Sequence, residues 1–152
     1  MHTEKKTSEL SNTLNNIKSK SDFEKYLSNN TSVSLSFQNY YETILNQKGL
    51  RLSDIATRCA CAISKSYIYN IFDKSRNNPS RNIIICLCIA ANMSLDETQR
   101  ALEITNAGIL YPKNTGDAII INSINNGIYS LMEINDNLIQ HNIKDVLIRN
   151  IK

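Results

Sequence analysis

Shifted against itself by 36 residues, the chain lays Ile83, Ile84 and Ile85 on Ile119, Ile120 and Ile121. The same shift lays Ser94, Leu95, Glu97, Leu102 and Asn106 on Ser130, Leu131, Glu133, Leu138 and Asn142. Each copy reads as an apolar helix, a short turn, and an amphipathic helix. The second helix opens on Ser-x-x-Glu, a pairing in which serine and glutamate close the first turn reciprocally. Such a helix pair cannot bury its apolar face alone, and stacked copies share one core. AGILYPKNTG links the copies.

The rest of the chain fits an all-α fold. It has only four glycines and two prolines in 152 residues, so turns are few and segments long. Hydrophobic residues make up 41% of the chain, with no Trp, and the core is built mainly from Ile and Leu. Residues 1–33 are polar and rich in Ser and Asn. Leu10, Leu14 and Ile17 fall at helical spacing, and Ser21 with Glu24 fits a capping box before Phe23, Tyr26 and Leu27. This segment reads as a helical N-terminal arm. A helix with Tyr40, Tyr41, Ile44 and Leu45 inward stops at Gly49. LSDIATRC forms a short helix, ACAI a turn, and Ser64 caps the next helix. Ile63 and Ile68 form a staple across that cap, and Ile68, Ile71 and Phe72 make a buried stripe. SRNIIICLCIAAN is apolar nearly all round and is expected to be buried. The expected organisation is an arm over 1–33, a domain over 34–108, and a C-terminal helix pair over 109–152 packed on that domain.

Charge is distributed unevenly. The net charge is +3, but residues 34–94 carry seven Lys and Arg against three Asp and Glu. Residues 95–152 carry five against seven. MHTEKKTSEL lacks the apolar stretch of a signal peptide, and no apolar run approaches the roughly 20 residues that span a bilayer. The expectation is a cytoplasmic protein with reduced thiols and no membrane partner.

No enzymatic constellation emerges. His2 and His141 lie near opposite ends, and no nucleophile elbow or glycine-rich phosphate loop is present. Glu97 and Glu133 fall at capping positions. Four thiols form two Cys-x-Cys pairs, Cys59/Cys61 and Cys86/Cys88. Residues two apart on a helix point about 200° from each other, so Cys86 and Cys88 cannot share a metal without unwinding. All four are expected to be buried reduced thiols. No metal or other cofactor is expected.

The basic segment centres on SKSYIYNIFDKSRNNPSR, residues 64–81. Opposite the buried stripe lie Ser66, Tyr69, Asn70 and Asp73, with Lys65 at the edge. Asn can bond adenine bidentately, Lys can reach guanine, and Tyr can contact phosphate or a thymine methyl. Lys65, Ser66, Tyr69 and Asn70 are the expected base contacts. Ser64, Lys74, Arg76 and Arg81 are the expected phosphate contacts.

Two short helices followed by DKSRNNPSR resemble the lambda-repressor-like (Xre/Cro) helix-turn-helix, where the loop commonly reads like G-K-R-N-P-S. SLDETQRAL, LYPKN, DAIII and SLMEIN are similar to the C-terminal half of a group of small Firmicutes helix-turn-helix proteins. The resemblance covers roughly residues 10–142. It implies a repressor-like bundle extended by a second helix pair. The function it implies is sequence-specific binding of double-stranded DNA by a dimeric transcriptional regulator. The alternative is a helical protein-interaction adaptor that keeps this fold without reading DNA.

Overall fold

The computed structural model describes residues 15–16, 19–24, 36–73 and 79–148, and among them every regular element is helical. By contacts the chain divides into two compact units, Met1–Leu35 and Ser36–Lys152. In the first unit residues 20–24 are helical. Asp22 N donates to Ser19 Oγ at 3.1 Å, so the cap is Ser19, and Ser21 lies inside the turn it was expected to cap. Leu10, Leu14, Ile17, Tyr26 and Leu27 lie outside the described residues.

The second unit contains seven described helices. They are α1 (Phe37–Lys48), α2 (Leu52–Arg58), α3 (Lys65–Phe72), α4 (Arg81–Ala90), α5 (Leu95–Ile104), α6 (Thr115–Asn125) and α7 (Leu131–Gln140). Each of α1 and α3 to α7 starts on a Ser or Asn whose side chain accepts the amide three residues on, satisfying a donor that the first turn leaves open. α1 ends at Gly49 with φ 67, a left-handed position where a side chain would be strained. No helix among the described residues is long and apolar enough to cross a membrane.

α4 is the centre of the core. Ile84 through Ala90 are all buried, which accounts for a sequence without an amphipathic pattern. One continuous apolar cluster joins Tyr41, Ile55, Ile68 and Leu87 to Ile120, Ile134 and Leu138. The C-terminal helix pair is therefore packed on the preceding helices.

The repeat is structural, with one adjustment of register. α5 and α7 correspond end to end at a shift of 36. Both are followed by left-handed asparagines, Asn106 at φ 54 and Asn142 at φ 60. The next amides close the helix ends identically, Ala107 N to Leu102 O and Ile143 N to Leu138 O. Asparagine tolerates this conformation better than most residues. The first helices align differently. Asn92 (φ 54) matches Gly127 (φ 70), and Met93 N to Cys88 O matches Ile128 N to Ser123 O. That is a shift of 35, so Ile85, Cys88 and Ile89 correspond to Ile120, Ser123 and Ile124, all buried. The Ile83–85 triplet therefore falls one residue away from the match suggested by sequence. Tyr129 is the inserted residue, and its hydroxyl donates to Met93 O at 3.0 Å.

Candidate nucleic-acid interface

α3 is held from behind. Ile68 and Ile71 are fully buried. Phe72 stacks on Tyr41 with ring centroids 5.1 Å apart, and Gln38 Nε2 donates to Ile71 O at 3.1 Å. The preceding turn is held as well. Ala62 N and Ile63 N both donate to Cys59 O at 2.8 Å, and Ile63 is buried beside the cap. Six residues, 59–64, separate α2 from α3. Arg58 Nη1 donates to Ala90 O at 2.8 Å, fixing the end of α2 against the end of α4.

The opposite face of α3 is open. Ser64, Lys65, Ser66, Tyr69, Asn70 and Asp73 are all exposed. Ser64 Oγ accepts from Tyr67 N at 3.2 Å; as a hydroxyl it keeps a proton to donate. Lys65 Nζ lies 5.9 Å from the Tyr69 ring centroid, within range of a cation–π contact. Of the expected phosphate contacts, Lys74 and Arg76 lie outside the described residues. Arg51, at the start of α2, is a cation that sequence reasoning passed over, with 83% of its side chain exposed.

Arg81 is placed elsewhere. Its Nη1 and Nη2 bond Asp117 Oδ1 and Oδ2 at 3.2 and 2.9 Å. Nε donates to Gly108 O at 3.0 Å, and Nη2 also donates to Ile109 O at 3.1 Å. A guanidinium with its donors directed into its own chain has little left for a phosphate, so Arg81 acts here as a structural clamp.

The clamp belongs to a set that organises the linker between the copies. Gln99 Nε2 donates to Leu110 O at 2.9 Å, and Gln99 Oε1 accepts from Leu110 N at 2.7 Å. Asp117 Oδ2 also accepts from Tyr111 N at 2.9 Å. Leu110 is fully buried while Ile109 and Tyr111 remain exposed. The second copy repeats half of the device, one methylene shorter, with Asn135 in place of Gln99 and the buried Asn135 Nδ2 left without a hydrogen-bond partner among the described residues. Asn135 Oδ1 accepts from Ile148 N at 2.9 Å. The amide pair at positions 99 and 135 was visible in the 36-residue alignment, but its role is not deducible without knowing where the chain returns.

The cysteines divide three to one. Cys59, Cys86 and Cys88 are buried, whereas Cys61 is exposed and departs from the expectation for all four. Burial pushes the Cys59 and Cys86 thiols up to about 12 and Cys88 further still. Among the described residues no group of three or more His, Cys, Asp or Glu is arranged to hold a metal ion. His141 Nδ1 lies 2.8 Å from Asn137 O, within its own helix end.

Glu97 closes the capping box of α5, accepting from Ser94 N at 2.9 Å, and pairs with Lys48 at 3.1 Å. At the start of α7 only half of the box is formed, with Glu133 N donating to Ser130 Oγ at 3.3 Å.

Compared with family models, curated proteins and solved structures, the chain matches none.

Proposed function

We propose that this protein is a cytoplasmic helix-turn-helix regulator that binds double-stranded DNA sequence-specifically, as a dimer, with α3 in the major groove. The observation that carries the reading is the mounting of α3. One face is anchored by Ile68 and Ile71, while Lys65, Ser66, Tyr69 and Asn70 form an outward row. A recognition helix needs this combination, because base edges are discriminated only by side chains held in register with the groove. Asn70 and Lys65 supply hydrogen bonds, and Tyr69 and Ser66 supply contacts to thymine methyls and neighbouring edges. Ser64, Lys74, Arg76 and Arg51 supply phosphate contacts.

Fluorescence polarisation with DNA flanking its own gene, at two salt concentrations, tests the reading. Asn70→Ala should weaken the preferred site by about 1–3 kcal/mol and blur its sequence preference. Arg76→Ala should weaken all sequences alike and reduce the salt slope by about one. Affinity no tighter than about 10 μM at physiological salt would leave only nonspecific attraction. The function would then be that of a protein-interaction adaptor retaining the fold.

A further inference from the structure

The two copies of the helix pair differ in what covers them. In the first copy, α1 spans α4 and α5. Tyr41 Oη donates to Leu87 O of α4 at 2.7 Å, and Tyr40 Oη donates to Glu97 O of α5 at 3.4 Å. Lys48, two turns further along α1, pairs with the Glu97 carboxylate. In this copy Cys88, Met93, Thr98 and Ala101 are fully buried.

In the second copy the same surface is a groove of about 530 Å³ between α6 and α7, lined by Ser123, Ile128, Met132, Glu133, Ile134 and Asn137, among others. Ser123 and Ile128 are the counterparts of Cys88 and Met93. Glu133, Ile134 and Asn137 are the counterparts of Glu97, Thr98 and Ala101. Within Ser36–Lys152 no described helix takes the place of α1.

Two features set the groove apart from a plain polar end cap, the usual finish of a helical repeat. Met132 is 42% exposed at its rim, where the first copy has Asp96. Glu133 and Asp136 both face the groove and pair with no cation among the described residues of Ser36–Lys152, whereas Glu97 has Lys48.

We propose that the α6–α7 groove receives an amphipathic helix from a partner protein, seated as α1 is seated on α4 and α5. The pattern of α1 defines its chemistry: aromatic or aliphatic residues at i, i+1 and i+4, and a lysine or arginine at i+8 opposite Glu133. The replacement of Ala101 by Asn137 and of Ile104 by Gln140 makes the seat more polar than its counterpart, as suits a helix that binds and leaves. A second copy of the chain is the less suitable occupant, because its own α1 is committed with Tyr41 buried. This surface is independent of α3 and of the DNA reading.

The test titrates the intact, isotope-labelled protein with a synthetic peptide of residues 36–49, stapled across positions 39 and 43, which face solvent in α1. A second peptide carries Leu in place of Tyr40 and Tyr41. At least one should give saturable shifts at Ser123, Ile128, Met132, Glu133 and Asn137, with a Kd below about 1 mM. Lys48→Glu in that peptide should weaken binding at least about threefold, and Glu133→Lys in the protein should restore it. Absence of saturable shifts with both peptides would overturn the proposal. So would shifts confined to the α4–α5 surface, or affinity indifferent to the charge reversal. Groove resonances that move on dilution without peptide would assign the surface to a second copy instead.

Discussion

Arg81 and Asp117, 36 residues apart, join the first turns of α4 and α6 through two charge-assisted hydrogen bonds of 3.2 and 2.9 Å. The pair is largely withdrawn from solvent, with side-chain exposures of 31% and 11%. It also fixes the linker, whose Gly108 and Ile109 carbonyls face the guanidinium and whose Tyr111 amide faces the carboxylate. Asp117→Ala should destabilise the protein by about 2 kcal/mol in urea unfolding, since it leaves the Arg81 charge without its counter-ion and the Tyr111 amide without its acceptor. Arg81→Ala should cost a similar amount, and the double variant should cost clearly less than the sum. The salt slope of DNA binding should be unchanged in Arg81→Ala; a flatter slope would return Arg81 to the phosphate contacts.

The side-chain amides of Gln99 and Asn135 hold two returning segments of chain. Gln99→Ala should cost about 1–3 kcal/mol by leaving both polar groups of Leu110 unpaired in a buried setting. Hydrogen exchange should accelerate at the Leu110 amide in Gln99→Ala and at the Ile148 amide in Asn135→Ala, each without the other. Coupled acceleration in both would mean that the two segments open as one unit.

Native thiol titration with a disulfide reagent should count one fast-reacting cysteine per chain and, after unfolding, all four. The reactive species is the thiolate, and burial keeps Cys59 and Cys86 protonated at neutral pH with pKa values near 12. Cys61→Ser should abolish the fast phase. A second fast thiol would contradict the packing around α4.

Acid should act through Glu97. Burial raises its pKa, but hydrogen bonds from Ser94 and the charge of Lys48 outweigh burial and hold it below the ordinary 4.5. A carboxyl whose folded pKa is depressed stabilises the fold above its unfolded pKa and loses that contribution as pH falls through the folded value. Glu97→Gln should therefore be less stable than wild type near pH 7. The difference should shrink below about pH 4, as followed by thermal unfolding across the range. A gap that persisted to pH 2 would mean that the charge of Glu97 is not what matters.

Ile68 and Tyr69, adjacent on α3, should respond oppositely to alanine. Ile68→Ala opens a cavity under the helix and should cost about 2–5 kcal/mol. Tyr69→Ala, on the open face, should change stability by less than about 0.5 kcal/mol while weakening DNA binding. Equal losses of stability would show that Tyr69 belongs to the core.

Much of this architecture was readable from the chain because its signals are local. Ser64, Ser80, Ser94 and Ser130 begin helices because a short hydroxyl can reach an amide three residues on, and that geometry needs no tertiary partner. The stripe Ile68, Ile71 and Phe72 identified the inner face of α3, and so its outer row, through helical spacing alone. The paired asparagines at 106 and 142 appeared in the repeat before their left-handed geometry explained them. What the tertiary structure decided depends on which distant segments meet. Arg81 looks like any basic loop residue until Asp117 is brought beside it by the stacking of α6 on the earlier helices. The isoleucine triplets align by sequence at 36, but burial follows the helix ends, and Tyr129 moves the register to 35. Cys61 shares its spacing motif with Cys59, yet only Cys59 turns into the core, because Ile63 pins the turn that carries them both. Local hydrogen bonding and periodicity are written residue by residue. The choice of partner for a charge, a thiol or a groove is made by the packing of helices far apart in the chain.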